Sequence, residues 1–196
     1  VTSVVIHCTG ADFVEEARLS ALFASRFAPA AQEIVIVSDQ PVEAFGQLPE
    51  KTRVVTLDVP VREESYRYKQ IYRSRLIKIQ APLYAETDGI LMIDSDLNLL
   101  NMPEINVRDI HLSSSFRQGK MAAKLMSAPE EKRPAYYRHT IRPFLQDHAN
   151  SAFLVATRST WKRLCPLWLA MFKDTWEILD DSQPPTDQLP LAALLD

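Results

Sequence analysis

Short apolar runs alternate along the chain with longer stretches in which apolar residues recur every three or four positions. Val4-Val5-Ile6-His7-Cys8 reads as a first strand ending at Thr9-Gly10. Asp12 stands where it would cap a helix from Phe13 to about Phe27, with Leu19, Leu22, Phe23 and Phe27 on its apolar face. Glu33 to Val37 reads as a second strand, closed by Ser38-Asp39-Gln40-Pro41, and Arg53 to Leu57 as a third. From Tyr68 to Glu86 the pattern is helical through Ile71, Leu76, Ile79 and Leu83, with Pro82 expected to kink or end a turn. Gly89-Ile90-Leu91-Met92-Ile93 leads into Asp94 as another strand, and Ser151 to Ala156 is one more. Trp161, Leu164, Cys165, Trp168 and Phe172 form a helical stripe expected in the core, and Pro166 within it predicts a kink or a restart. Pro184-Pro185-Thr186-Asp187-Gln188 breaks the chain and opens a last helix, with Thr186 as N-cap. Strands alternating with helices predict an α/β fold: a mostly parallel central sheet flanked by helices and joined by right-handed crossovers. The 196 residues are enough for a sizeable core and are expected to form a single domain over 1–196.

The apolar run before Asp94 fits a strand buried on both faces. Strand side chains alternate with a period of two, so Asp94 and Asp96 are expected to face the same way. Two carboxylates side by side repel and are costly to take out of water. A divalent cation between them is the simplest remedy. The carboxyl end of a central strand is also where open α/β sheets bind ligands.

Composition narrows this picture. The net charge of −3 argues against a general nucleic-acid or membrane-surface binder. No apolar stretch approaches the roughly 20 residues of a membrane span. There is no signal peptide, but the chain opens at Val1 directly in a strand with no starting Met, which leaves open a missing natural N-terminus and a removed targeting segment. Cys8 and Cys165 are too few for a disulfide framework or a zinc site and read as buried thiols, in keeping with a reducing, cytoplasmic setting. The four glycines, Gly10, Gly46, Gly89 and Gly119, exclude a Walker A loop and a dinucleotide-binding Gly-x-Gly-x-x-Gly. Any phosphate would have to be held by a metal and by cationic side chains. Ser113 to Pro143 is rich in such residues: Arg117, Lys120, Lys124, Lys132, Arg133, Arg138 and Arg142 stand against Glu130 and Glu131. It is expected to be a helical insertion, 113–143, either a solvated face or a grip on an anionic acceptor or diphosphate.

Five segments, taken in order, resemble nucleotide-diphospho-sugar transferases of the GT-A fold. The nearest likeness is to the retaining glycosyltransferase family 8-like enzymes related to glycogenin and the bacterial lipopolysaccharide galactosyltransferases. The segments are His7-Cys8-Thr9-Gly10-Ala11-Asp12-Phe13, Arg75-Leu76-Ile77-Lys78, Ile90 to Asp96 with its Asp-x-Asp, Ala149-Asn150-Ser151-Ala152-Phe153-Leu154-Val155, and Asp187-Gln188-Leu189. The resemblance implies that Cys8, Thr9, Gly10 and Phe13 hold the nucleoside, and that Arg75 and Lys78 meet the diphosphate or sugar. It implies Asp94 and Asp96 as ligands of Mn²⁺ or Mg²⁺, with Ser95 between them at the nucleotide and Asn150 on the donor sugar. Asp187 and Gln188 would lie beside the anomeric carbon as the catalytic pair. Two departures stand out. Ala152 occupies a usual Gly position, and the family's third metal ligand, a His beyond the Asp-Gln helix, falls after Asp196. His7, His111, His139 and His148 are poor substitutes by position. The chain is therefore expected to be truncated, to complete its metal with water and diphosphate, or to bind metal weakly.

The implied activity is metal-dependent transfer of a hexose-like sugar from a nucleoside-diphosphate sugar, UDP-linked by the family's habit, with retention. The acceptor, whether glycan, lipid-linked glycan or protein, is not specified. Two alternatives stay open. A haloacid-dehalogenase-like Mg²⁺-dependent phosphatase also uses Asp-x-Asp, and Asp180-Asp181 could mimic its late acidic pair, but that motif normally lies on the first strand. A sugar-nucleotide-binding module without turnover is the other.

Overall fold

A computed structural model of the chain describes residues 1–60, 68–101, 111–114, 128, 129, 131, 149–179, 184 and 186–195. The elements are β1 (Ser3–Cys8), α1 (Val14–Phe27), β2 (Glu33–Ser38), β3 (Thr52–Thr56), α2 (Lys69–Gln80), β4 (Gly89–Asp94), β5 (His111–Ser114), β6 (Ala149–Thr157), α3 (Arg158–Leu179) and α4 (Gln188–Leu195). Short 3-10 turns lie at Ala11–Phe13, Val42–Phe45 and Ala81–Tyr84. The six strands form one sheet in the order β3-β2-β1-β4-β6-β5. β1 to β4 run parallel, and β6 is antiparallel to both β4 and β5. The expected mostly parallel α/β sheet is thus observed. The expected insertion at 113–143 lies almost wholly outside the described residues; Ser113 and Ser114 are the end of β5.

Each central strand buries both faces, which is why its sequence is a continuous apolar run. Val5, Val35, Val37, Ile90 and Met92 face one core, filled by Ile77 and Ile79 of α2 and by Trp161, Trp168, Phe172 and Trp176 of α3. Each of these large rings removes on the order of 200 Å² from water, a gain of up to about 5 kcal/mol apiece before entropy is counted. Val4, Ile6, Cys8, Ile34, Ile36, Leu91 and Ile93 face the other core, beneath α1. α3 runs unbroken through Pro166, which stands on its exposed side, so the expected restart is not observed.

α1 differs from expectation. It buries Ala17, Ser20, Ala21 and Ala24 against the sheet. Leu19 and Leu22 are 43% and 54% exposed. Small side chains at helical spacing let the helix axis come close to the strands, and the larger residues are displaced to the flank, where Phe23 and Phe27 stack at 5.9 Å. Asp12 does not cap α1. The chain enters the helix through the 3-10 turn, closed by Phe13 N–H on Gly10 O at 3.3 Å, so the cap position passes to Phe13. The helix expected over Tyr68 to Glu86 ends at Gln80 and tightens into the 3-10 turn that contains Pro82. At the last helix Thr186 Oγ1 accepts the Gln188 N–H at 3.3 Å, the side-chain cap bond expected of it.

Candidate functional site

The strand order reverses between β1 and β4, because β2 and β3 extend the sheet from one side of β1 and β4 from the other. The loops leaving the carboxyl ends of two such strands diverge and leave a crevice. Here it is a cavity of about 760 Å³. Thr9, Gly10, Ala11, Asp12 and Phe13 line it from the loop after β1, Asp39 and Gln40 from the end of β2, and Asp94, Ser95 and Asp96 from the end of β4. α2 contributes Gln70, Ile71, Arg73, Ser74 and Arg75.

The β1 loop is held open by its glycine. Gly10 has a φ of +90°, a conformation that an L side chain rarely adopts. Its N–H donates to Asp39 Oδ1 at 2.8 Å. Asp39 Oδ2 lies 3.4 Å from Arg73 Nε, so one buried carboxylate fixes both the loop and an arginine of α2. Phe13 is exposed at the rim. Cys8, expected at the nucleoside, has its side chain in the α1-side core instead, where burial pushes its thiol up to about 11.

β4 ends at Asp94, and Leu97 N–H donates to Asp94 O at 3.1 Å to close a turn. The period-two argument therefore stops two residues short of Asp96. Asp96 reaches the cavity from a turn and is exposed there, whereas Ser95 is buried. Asp94 is engaged from behind. Parallel pairing sets His7 opposite Asp94, with His7 Nδ1 3.4 Å from Asp94 Oδ1. Lys78 Nζ lies 2.7 Å from the same oxygen. Burial, together with the charges of Lys78 and Arg75, holds His7 well below the usual imidazole range, so it is neutral and its contact with Asp94 is not an ion pair.

Lys78 is the hub. Its side chain is 2% exposed, and its Nζ also lies 3.5 Å from Asp187 Oδ2. Arg75 Nε approaches the other Asp187 oxygen at 3.0 Å. Arg75 and Lys78 are one helical turn apart, so one carboxylate engages both. Burial alone would push the Asp187 carboxyl up; Lys78 and Arg75 outweigh it and hold the carboxyl well below the ordinary range. Ser151 Oγ is near enough to add to that pull without the alignment of a full hydrogen bond. Trp168 Nε1 donates to the Asp187 carbonyl at 2.7 Å and ties this end of α4 to α3.

The residues expected at the site thus divide. Thr9, Gly10, Phe13, Arg75, Asp94, Ser95 and Asp96 share the cavity wall. Lys78 and Asp187 stand behind that wall and carry Arg75 and Asp94. Gln188 opens α4 beside them. Asn150 pairs with Ser113 between β6 and β5, and its side chain lies outside the described residues. Asp39, Arg73 and Gln70 were not expected in the wall. Asp39 carried a usable signal, an acid just after the second strand of an α/β unit. Among the described residues no three His, Cys, Asp or Glu side chains gather as a metal-holding group. Among them, too, no helix is long and apolar enough to cross a membrane.

No family model matches the chain. No curated protein matches it significantly. Solved structures do. One is the glycosyltransferase GlyE of Streptococcus pneumoniae TIGR4, at a TM-score of 0.54 and 14% identity, over 97% of this chain and 42% of that one. The chain therefore spans less than half the length of that enzyme. At this identity the likeness is one of fold, and the chain has a glycosyltransferase-like α/β fold.

Proposed function

We propose that the chain carries the donor site of a GT-A glycosyltransferase, moving a sugar from a nucleoside-diphosphate sugar, of the UDP class, to an acceptor hydroxyl with retention. The observation that carries this reading is the meeting, at one switch-point cavity, of an exposed Asp96, a buttressed Asp94 and two arginines of α2. Such a wall offers oxygen ligands on one side and fixed positive charge on the other, as an anionic diphosphate needs.

In glycosyl transfer the bond from the anomeric carbon to a diphosphate oxygen breaks, and negative charge builds on the leaving group. Arg75, its Nε held by Asp187, stands at the cavity ready for that charge. Arg73, held by Asp39, provides a second cation on the same helix. Asp94 and Asp96 suit a hard divalent cation: Asp96 is open to the cavity, and Asp94, its Oδ1 taken by Lys78 at 2.7 Å, lines the same cavity with its second carboxylate oxygen to offer. When bound, Mn²⁺ or Mg²⁺ would neutralise charge on the departing diphosphate, with further oxygen ligands from substrate and water. Asp187 acts here by positioning Arg75 and Lys78. Phe13, exposed at the rim, offers a face for a nucleobase. Gln188 is assigned to the anomeric carbon by resemblance.

The phosphatase alternative is disfavoured because Asp94 ends the fourth strand rather than the first; Asp180 and Asp181 lie outside the described residues. The test is release of UDP from a panel of UDP-hexoses with Mn²⁺ or with EDTA, beside hydrolysis of an aryl phosphate. Mn²⁺-dependent UDP release is expected. Aryl phosphate hydrolysis without UDP release would favour the phosphatase, and UDP binding without release from any donor would favour a non-catalytic module.

A further inference from the structure

Ser20 of α1 is fully buried, on the face packed against the sheet. Its hydroxyl oxygen lies 2.7 Å from Ser95 O and 2.6 Å from Leu97 O. These are the carbonyls of the residues on either side of Asp96. A hydroxyl has a single hydrogen, so it donates to the two carbonyls as a shared or alternating pair. Asp96 itself makes no ladder bond, because β4 ended two residues earlier. The closing Leu97 N–H bond to Asp94 O spans the turn, and the Ser20 hydroxyl, reaching from α1, holds the Ser95–Asp96 peptide just before Asp96 and the Leu97–Asn98 peptide just beyond it. An apolar residue at position 20 would pack in the same space and leave the buried Ser95 carbonyl and the part-buried Leu97 carbonyl without this donor.

We propose that Ser20 is a positioning residue that clamps the turn of Asp96 and so fixes where its carboxylate stands in the cavity. α1 then sets both walls of the site. Its first turn follows directly from the Ala11–Phe13 segment at the rim, and Ser20, further along the same helix, holds the Asp96 turn. The consequence for ligand binding rests on the reading of Asp96 as a cation ligand; the clamp itself does not.

The test uses Ser20→Ala, with Ala24→Gly as a control that loosens the same buried face of α1 without touching the turn. Two readouts separate the clamp from its consequence. Amide hydrogen exchange without ligand should show the Leu97 N–H exchanging about tenfold faster in Ser20→Ala than in Ala24→Gly at matched global stability, as the loss of one buried hydrogen bond implies. Equal Leu97 exchange in the two variants overturns the clamp. Calorimetric titration of UDP with Mn²⁺ should then show binding weakened about tenfold in Ser20→Ala and unchanged in Ala24→Gly. Equal weakening in both variants overturns the positioning role, since general loosening would explain it. Wild-type binding of UDP that ignores Mn²⁺ overturns the reading of Asp96, and the exchange result alone then decides the clamp.

Discussion

Replacing Lys78 by Met tests the buried charge network. The substitution keeps the apolar stem and removes an ammonium that sits 2.7 Å from Asp94 and 3.5 Å from Asp187. At an effective dielectric of about 20 these contacts carry gross attractions of about 6 and about 5 kcal/mol. The cost of dehydrating the ammonium offsets most of that sum, and removing one partner of a buried pair typically costs about 3–5 kcal/mol. The lower end applies here, because Asp94 is 22% exposed and Arg75 remains on Asp187. The sign with pH follows from linkage. In the wild type the Asp187 carboxyl is depressed, so the unfolded chain binds more protons near its ordinary range. That contribution is complete above the unfolded value and is lost as pH falls toward the folded one. Without Lys78 the folded value rises, so Asp187 is protonated sooner and the deficit shrinks in acid. Urea unfolding of both proteins at pH 7.5 and at pH 3, inside the window between the unfolded and the depressed folded carboxyl, should give a loss of about 3 kcal/mol at the higher pH and clearly less at the lower. A loss below about 1 kcal/mol, or one identical at the two pH values, would refute Lys78 as the cation that neutralises these carboxylates.

Other outcomes follow from the same geometry. Cys8 and Cys165 are buried, with thiols pushed up by burial to about 11 and about 12, so neither should react with a disulfide reagent at pH 8 until the chain unfolds; labelling of the native protein at the rate of a free thiol would contradict this. At the opposite end of the sheet Glu33 accepts from Ser3 Oγ at 2.6 Å and from the Glu86 N–H at 2.6 Å, and its carboxyl is held below its usual value against the effect of burial. Glu33→Gln should cost about 2 kcal/mol at pH 7, and that difference should vanish as acid protonates the wild-type carboxylate, readable in denaturant midpoints across pH.

Much of the fold was legible because buried parallel strands are continuous apolar runs: Val4 to Cys8, Glu33 to Val37 and Ile90 to Ile93 all lie in strands. The Trp161-Leu164-Cys165-Trp168-Phe172 stripe is the core face of α3 for the same reason of period. The face of α1 was misread because Leu and Phe outweigh Ala on any hydropathy scale, while closeness to a sheet selects for small size. Ala17, Ala21 and Ala24 are buried by shape. Asp96 was assigned a strand direction because alternation was extended past the last paired residue. Lys78 carried a local hint, a lone charge between Ile77 and Ile79, yet its two carboxylate partners come from β4 and from the start of α4. Ser20 gave no signal, since its role depends on a turn 75 residues away.

Asp96 is proposed as the cavity's cation ligand for a nucleoside diphosphate. Its most direct test is the thermal shift of wild type and Asp96→Asn with UDP, with and without Mn²⁺. A cation ligand at Asp96 requires a stabilisation of the wild type that needs Mn²⁺ and UDP together and is absent in Asp96→Asn, since only a ligand that binds the folded state raises its melting temperature. An equal shift in both proteins, or a wild-type shift indifferent to Mn²⁺, would contradict it.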